Sequence, residues 1–343
     1  MFGKIAGAAN FGEGRYAIDM AIHSVMLAMI VLGCGARRPC PTPVNRHWRG
    51  PGAGRSGALK IGAIYPQIEL AGDPRAFDAM VRAVEALGFD SLAMFDYVAG
   101  AEHSGRKPPL WGPYTERDPF HDPMVALGYA AAITERIELV TGILVLPQRQ
   151  TLLVARQAAD VSLLSSGRLR LGVGVGWNHV EFEALGEDFH TRGRRMSEQI
   201  ALLRSLWRDG LVDFSGAFHR MDRIALNPRP VSRIPIYCGG VTEPAFRRAA
   251  NLADGFIFGG PVDRVIASWA AIQQYLHEAG RDPASFGADY QLPDGTDAAT
   301  SLELARRWED AGGTHCAMRS MKLGFTRVEQ HIDHFAEVRA RWG

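Results

Sequence analysis

The sequence predicts a closed (β/α)8 TIM barrel with a small hairpin insertion, preceded by an irregular N-terminal extension over residues 1–58. Three observations predict it. From Leu59 onward, short apolar runs alternate eight times with amphipathic segments of helical length, the mark of parallel βαβ units. The alternation shows no sign of a strand-order switch, which favours closure over an open doubly wound sheet. The composition, 47% hydrophobic and 22% charged, is that of a globular chain, and 343 residues fit one large barrel as well as two average domains.

The elements follow in order over residues 59–343. A strand over 59–65 (LKIGAIY) stops at Pro66. Asp73-Pro74 opens a helix as N-cap and first helical residue, with Phe77, Val81, Val84 and Leu87 on its apolar face and Gly88 past its end. The second strand covers 89–95. A long polar loop follows, with Pro108-Pro109 and Trp111-Gly112-Pro113, too long to be a mere connection. Asp122-Pro123 opens the next helix, and 137–146 (IELVTGILVL) is the third strand. A helix over 151–165 presents Leu152, Ala155, Ala159 and Leu163 to the core. The fourth strand covers 168–175, and a helix over 193–208 buries Met196, Ile200, Leu203 and Trp207. Residues 211–230 break the rhythm as a hairpin. Strands over 234–238, 255–258, 286–292 and 314–318 complete the eight, with helices from Thr242, over 262–279, over 298–311 and from Val328.

The formal net charge of +1 is unevenly placed. Residues 1–58 hold seven Lys and Arg against Glu13 and Asp19, so the barrel region carries −4. A mildly acidic body has no electrostatic footprint for nucleic acid. Cys34, Cys40, Cys238 and Cys316 form neither a CxxC pair nor a zinc spacing, and no HExxH or His-carboxylate cluster suggests a metal. The body is expected to be reduced and cytoplasmic. Residues 20–33 are apolar but short of the roughly 20 needed to span a bilayer, so no stable membrane span is expected. Val31-Leu32-Gly33-Cys34 has the form of a loose lipobox. An export or lipid-anchor segment and an over-extended or disordered start both remain open.

Three stretches carry a family resemblance: 163–177 (LLSSGRLRLGVGVGW) with Glu181-Phe182-Glu183-Ala184-Leu185-Gly186 after it, 136–142 (RIELVTG) and 236–240 (IYCGG). In this order and spacing they resemble the luciferase-like monooxygenase superfamily, and within it the F420-dependent oxidoreductases common in actinobacteria. The resemblance runs from about Lys60 to the C-terminus. It implies an active site at the C-terminal ends of the strands, with coenzyme F420 as cofactor and FMN as the alternative.

Each motif also has a reading of its own. Gly142 interrupts the third strand, where a glycine marks a bulge or the close approach of a ligand. The resemblance implies a non-prolyl cis peptide at Gly142–Ile143 backing the deazaflavin ring; an ordinary packing glycine is the plain alternative. Gly172, Gly174 and Gly176 form GxGxG rather than the dinucleotide GxGxxG. The resemblance implies bare backbone there that admits a flat ring, with Trp177 as pocket wall; Trp177 as barrel-rim core is the alternative. Gly239-Gly240-Val241-Thr242 leads from a strand into a helix whose first turn holds Glu243-Pro244. Free N–H groups and the positive helix end make an anion site without a lysine, suited to the phosphate of FMN or F420. A glycine-rich turn with a Thr242-capped helix is the alternative.

Asp96-Tyr97 ends the second strand. Many F420-dependent relatives read Asp-His there, the histidine taking a substrate hydroxyl proton, and sugar-phosphate dehydrogenases of the family carry glutamate where Trp177 stands. Both departures argue against a straightforward alcohol dehydrogenase. A phenol, with its pKa near 10, suits an acid rather than a base, and so suits reduction of an activated double bond. Asp96 as a loop acceptor and Tyr97 as a pocket wall are the alternatives. His121 and His179 stand near the active end, His315 at the stability end, and His331 and His334 read as a solvated face.

The expected function is F420-dependent hydride transfer to or from a small organic substrate. An FMN-dependent monooxygenase and a cofactor-binding barrel without catalysis are the rivals. The expected partner is a small molecule, and a homodimer stays open.

Overall fold

A computed structural model describes residues 58–342; the expected tail, export or lipid-anchor segment lies outside the described residues. The order is β1 (Lys60–Ile64), α1 (Pro74–Ala86), β2 (Ser91–Met94), α2 (Pro123–Ile133), β3 (Glu138–Thr141), β4 (Leu144–Val145), α3 (Thr151–Leu164) and β5 (Leu169–Gly174). There follow α4 (His179–Ala184), α5 (Arg192–Arg208), the hairpin β6 (Val212–Ser215) and β7 (Arg220–Ile224), β8 (Ile236–Gly239) and α6 (Glu243–Leu252). The chain ends with β9 (Gly255–Gly259), α7 (Val262–Glu278), β10 (Gly287–Gln291), α8 (Ala298–Asp310), β11 (His315–Met318) and α9 (Val328–Trp342).

The parallel strands run β3-β2-β1-β11-β10-β9-β8-β5, and β3 pairs with β5 to close the circle at Leu139↔Leu169 and Val140↔Arg170. β4 continues β3 along the same neighbour, Leu144 opposite Val173, so the two are one barrel strand broken at Gly142–Ile143, whose peptide is cis. Eight barrel strands result. Local chemistry sets the helix starts: Asp73 accepts the Arg75 N–H at 2.8 Å, and Asp122 accepts those of Met124 and Val125 at 2.9 and 3.1 Å.

Most of the core lies between strands and helices, but a second cluster fills the barrel itself, including Ile64, Ala93, Val140, Tyr237, Ile257 and Ala317. Because side chains alternate along a strand, Glu138, Arg170, Asp289 and His315 share the inward face one layer below these residues, and Phe95, Gly142, Gly174, Gly239 and Gln291 one layer above. The lower layer is an ion cluster. Buried Arg170 binds Asp289 at 2.6 Å and Glu138 at 3.2 Å, and lies 4.8 Å over the Tyr237 ring. The upper layer is rich in glycine, and neighbouring side chains fill the space a Cβ would take.

Three readings of single elements are corrected. On α3 the buried stripe is Val154, Ala155, Ala158, Ala159 and Val161, while Leu152 is exposed and Leu163 only half-buried. Helix α3 packs between α2 and α5, which rotates its inner face away from the leucines. His331 and His334 are buried rather than solvated, because the segment after β11 folds back over α9. There Ser320 hydrogen-bonds His331 Nδ1 at 2.8 Å, and the Arg319 carbonyl accepts from His334 Nε2 at 3.2 Å. Thr242 occupies the N-cap position of α6, yet its side chain makes no capping bond. Helix α4 was not expected; Asn178 nucleates it by accepting the Val180 and Glu181 N–H groups at 3.2 Å each.

Candidate active site

The mouth of the barrel has a floor of bare backbone. Ile143 leaves the break in β3 and lies across the ends of β5 and β8. A Cβ on Gly174 would fall 2.5 Å from Ile143 Cδ1, and one on Gly239 would fall 2.9 Å from its Cγ2. Gly176, at φ +69°, leaves space for Val145, whose Cγ1 would lie 2.6 Å from an added Cβ. The glycines therefore seat Ile143 and Val145, and bare backbone with these two side chains makes the floor.

Beside this floor, Gly240 takes φ +148°, and a Cβ there would lie 2.7 Å from that of Ala245. The Thr242 carbonyl accepts from Ala245 and Phe246, at 2.9 and 3.1 Å, which sets the first turn of α6. Among the described residues, the N–H groups of Val241, Thr242 and Glu243 donate to no other group, and Val241 and Thr242 are exposed.

An aromatic wall faces the floor. Tyr97 stacks on Trp177 at 6.1 Å between centroids and 23° between planes, and meets Phe120 edge-on at 5.2 Å. Tyr114 meets Phe120 at 4.8 Å, and His103 meets Trp177 at 6.2 Å. The Tyr97 hydroxyl donates to the Tyr114 carbonyl at 3.3 Å and accepts from the Ala101 N–H at 3.3 Å and Asn178 Nδ2 at 3.4 Å. Burial raises its pKa above the ordinary phenol value. A hydroxyl so placed keeps its proton at neutral pH and holds the loop that carries the wall.

Asp96 faces away from this wall. Its carboxylate accepts from Arg149 Nη2 at 2.7 Å and from the Val145 N–H at 2.8 Å, and it fixes the chain just after the break. Arg149 also binds Asp122 at 2.8 Å. Burial pushes the Asp96 carboxyl up from its usual range while Arg149 pulls against it. Sequence reasoning singled out Asp96 and Tyr97 together, and the structure does bring them to one strand end. Both are engaged there in holding backbone.

Glu181 belongs to a stretch that carries the family resemblance, but its partners have no signal in the sequence. Glu181, buried in α4, accepts from the Val98 and Ala99 N–H groups at 2.7 and 3.1 Å and from Gln148 Nε2 at 2.7 Å. It clamps the start of the aromatic loop to the helix behind Trp177. His121 and His179 lie at the rim, His121 among Tyr65 and Phe77, His179 against Phe189. Among the described residues, no group of three or more His, Cys, Asp or Glu is placed to hold a metal. Cys238 and Cys316 are free and buried.

A family model described as luciferase-like monooxygenase matches residues 52–318. The chain belongs to the luciferase-like monooxygenase family. Its members are oxidoreductases and monooxygenases that bind F420 or a flavin and act on small molecules. Among curated relatives, an uncharacterised protein of Mycobacterium tuberculosis is 33% identical over 211 residues, covering 59% of this chain and 72% of that one. Pyrimidine monooxygenase RutA of Yersinia enterocolitica is 33% identical over 191 residues, covering 52% of this chain and half of RutA. Two solved structures share the fold. An F420-dependent secondary alcohol dehydrogenase in complex with an F420-acetone adduct superposes with TM-score 0.67 at 19% identity, over 82% of this chain and 98% of that one. Monooxygenase RslO1 of Streptomyces bottropensis superposes with TM-score 0.64 at 20% identity, over 83% and 100%. The glycine floor and the aromatic wall meet at the C-terminal ends of the barrel strands. Among the described residues, no helix is long and apolar enough to cross a membrane.

Proposed function

We propose that this chain is an F420-dependent oxidoreductase that moves a hydride between the deazaflavin and a small organic substrate. The observation that carries the reading is the floor made by Ile143 over Gly174 and Gly239, next to the free N–H groups at the start of α6. A flat ring fits the floor only while both glycines lack a Cβ, and a phosphate fits the helix start without any lysine. When bound, F420 supplies hydride chemistry at C5.

The chain's own residues supply the rest. Ile143 and the glycine edges orient the ring, and Gly239 to Thr242 hold the phosphate. Trp177, Tyr97, Tyr114 and Phe120 keep water from the reacting face. Tyr97 retains its proton, so no strong base stands at the end of β2. That favours reduction of an activated carbon–carbon or carbon–nitrogen double bond over alcohol oxidation.

One observation favours a second reading, an FMN-dependent monooxygenase: RutA, a monooxygenase by name, is 33% identical over 191 residues, about half of each chain. Fluorescence titration with F420 and with FMN separates the two. Micromolar FMN binding with no F420 binding overturns the first reading. Oxidation of reduced F420 by a panel of enones and imines then separates an enzyme from a barrel that only binds its cofactor.

A further inference from the structure

We infer that Gln291 is the positioning residue of the ring seat, an assignment that rests on reading the barrel mouth as a cofactor site. Gln291 ends β10 on the inward face and is 6% exposed. Its Nε2 donates to the Gly142 carbonyl, 3.2 Å away across the barrel and 149 residues away in sequence. Its Oε1 accepts from Arg319 Nη2 at 3.4 Å, and Arg319 Nη1 binds Asp294 at 2.6 Å. Asp294 in turn binds Lys322 at 3.1 Å.

This chain of contacts settles which way the amide faces. A guanidinium only donates and a carbonyl only accepts. The glutamine therefore turns its oxygen to Arg319 and its nitrogen to Gly142; the reverse orientation opposes two donors and two acceptors. Arg319 is itself held between Asp294 and the Phe95 ring, 5.0 Å from its guanidinium. Shape agrees with polarity, since a Cβ on Gly142 would fall 2.5 Å from Gln291 Nε2. The other side of Gly142 is fixed too, its N–H donating to the Met94 carbonyl at 2.6 Å. Gly142 is thus gripped from two directions, and the residue that follows it is Ile143, the centre of the floor. Gln291 acts through Gly142 and Ile143, and its work is to keep the floor at one height.

Two substitutions test this, with readouts beyond turnover. Gln291→Met keeps the volume and removes the donor. The thermal midpoint should stay within a few degrees, while hydrogen exchange of peptides spanning 138–149 in the cofactor-free protein rises about tenfold. The dissociation constants for F420 and FMN should rise about tenfold as well. Gln291→Glu adds a pH signature. A protonated acid donates to the Gly142 carbonyl as the amide does, and an ionised one cannot. Cofactor affinity of this variant should be about tenfold weaker than wild type at pH 8 and recover toward pH 5. Wild-type exchange and affinity in Gln291→Met, or wild-type affinity of Gln291→Glu at pH 8, overturns the assignment. Raised exchange in Gln291→Met with no binding of either cofactor to the wild type upholds the grip on Gly142 and overturns the proposed function instead.

Discussion

Ile143 and Gly174 occupy one another's space: a methyl group on the glycine would sit 2.5 Å from the isoleucine's terminal carbon. The pair is complementary, large on one strand and absent on the other, so changes to the two should not add. Gly174→Ala is expected to destabilise the fold by about 1–3 kcal/mol through overpacking. Combined with Ile143→Ala, most of that loss should disappear, a coupling of roughly 1–2 kcal/mol. Urea denaturation of both single variants and the double variant measures it. Simple additivity would show that Ile143 does not rest on Gly174.

Gly240 is the second place where a side chain is excluded. At φ +148° with Ala245 behind it, only glycine is unstrained. Gly240→Val is expected to weaken cofactor binding roughly a hundredfold or more, the loss of two or three charge-assisted hydrogen bonds. The barrel should remain folded. Dissociation constant and thermal midpoint, measured together, check this. Wild-type affinity, or unfolding alone, makes Gly239-Gly240 a structural turn.

What could be read from the sequence was local. Asp73-Pro74 and Asp122-Pro123 announce their helices because a cap and its helix lie within a few residues. Glycine inside the apolar run marks Gly142 as a candidate bulge, while the cis peptide itself is implied by the family resemblance. What could not be read depends on distant partners. Nothing near His331 shows that the segment after β11 will cover it. Glu181 meets Val98 from 83 residues away and Asp96 meets Arg149 from 53, separations at which spacing carries no signal. The same limit hid the true work of Tyr97, whose hydroxyl partners arrive from the following loop and from Asn178.

Asp96 tests the difference between a catalytic and a structural carboxylate. Asp96→Asn leaves the half-buried Arg149 with Asp122 as its one remaining carboxylate among the described residues. A loss of about 3 kcal/mol in unfolding free energy is expected. The pH profile of turnover should keep its shape. A lost limb in that profile, with stability intact, would make Asp96 an acid or base after all.

His331 predicts how the fold answers to acid. Burial, with His334 nearby, lowers its pKa from 6.5 to about 4. The unfolded chain therefore takes up the proton near pH 6.5, while the folded one waits until about pH 4. Stability is fully present above pH 6.5 and falls as pH drops through that window, by up to about 3 kcal/mol from this group. Denaturation midpoints between pH 4 and 7.5, for wild type and His331→Asn, measure it. A variant with an equally steep decline would assign the acid sensitivity elsewhere.

The ion cluster of Arg170, Asp289 and Glu138 stoppers the lower end of the barrel, and this decides the sequence of arrivals. A site entered only from the upper end takes its deepest occupant first and releases it last. Under the proposed function a ring would rest on Ile143, beneath anything held by Tyr97 and Trp177. Under the proposed function, binding is therefore compulsorily ordered, cofactor before substrate and product before spent cofactor. A substrate that enters ahead of the cofactor acts as a dead-end inhibitor. In steady-state kinetics, high substrate concentrations should slow the enzyme, and raising the cofactor concentration should relieve the inhibition.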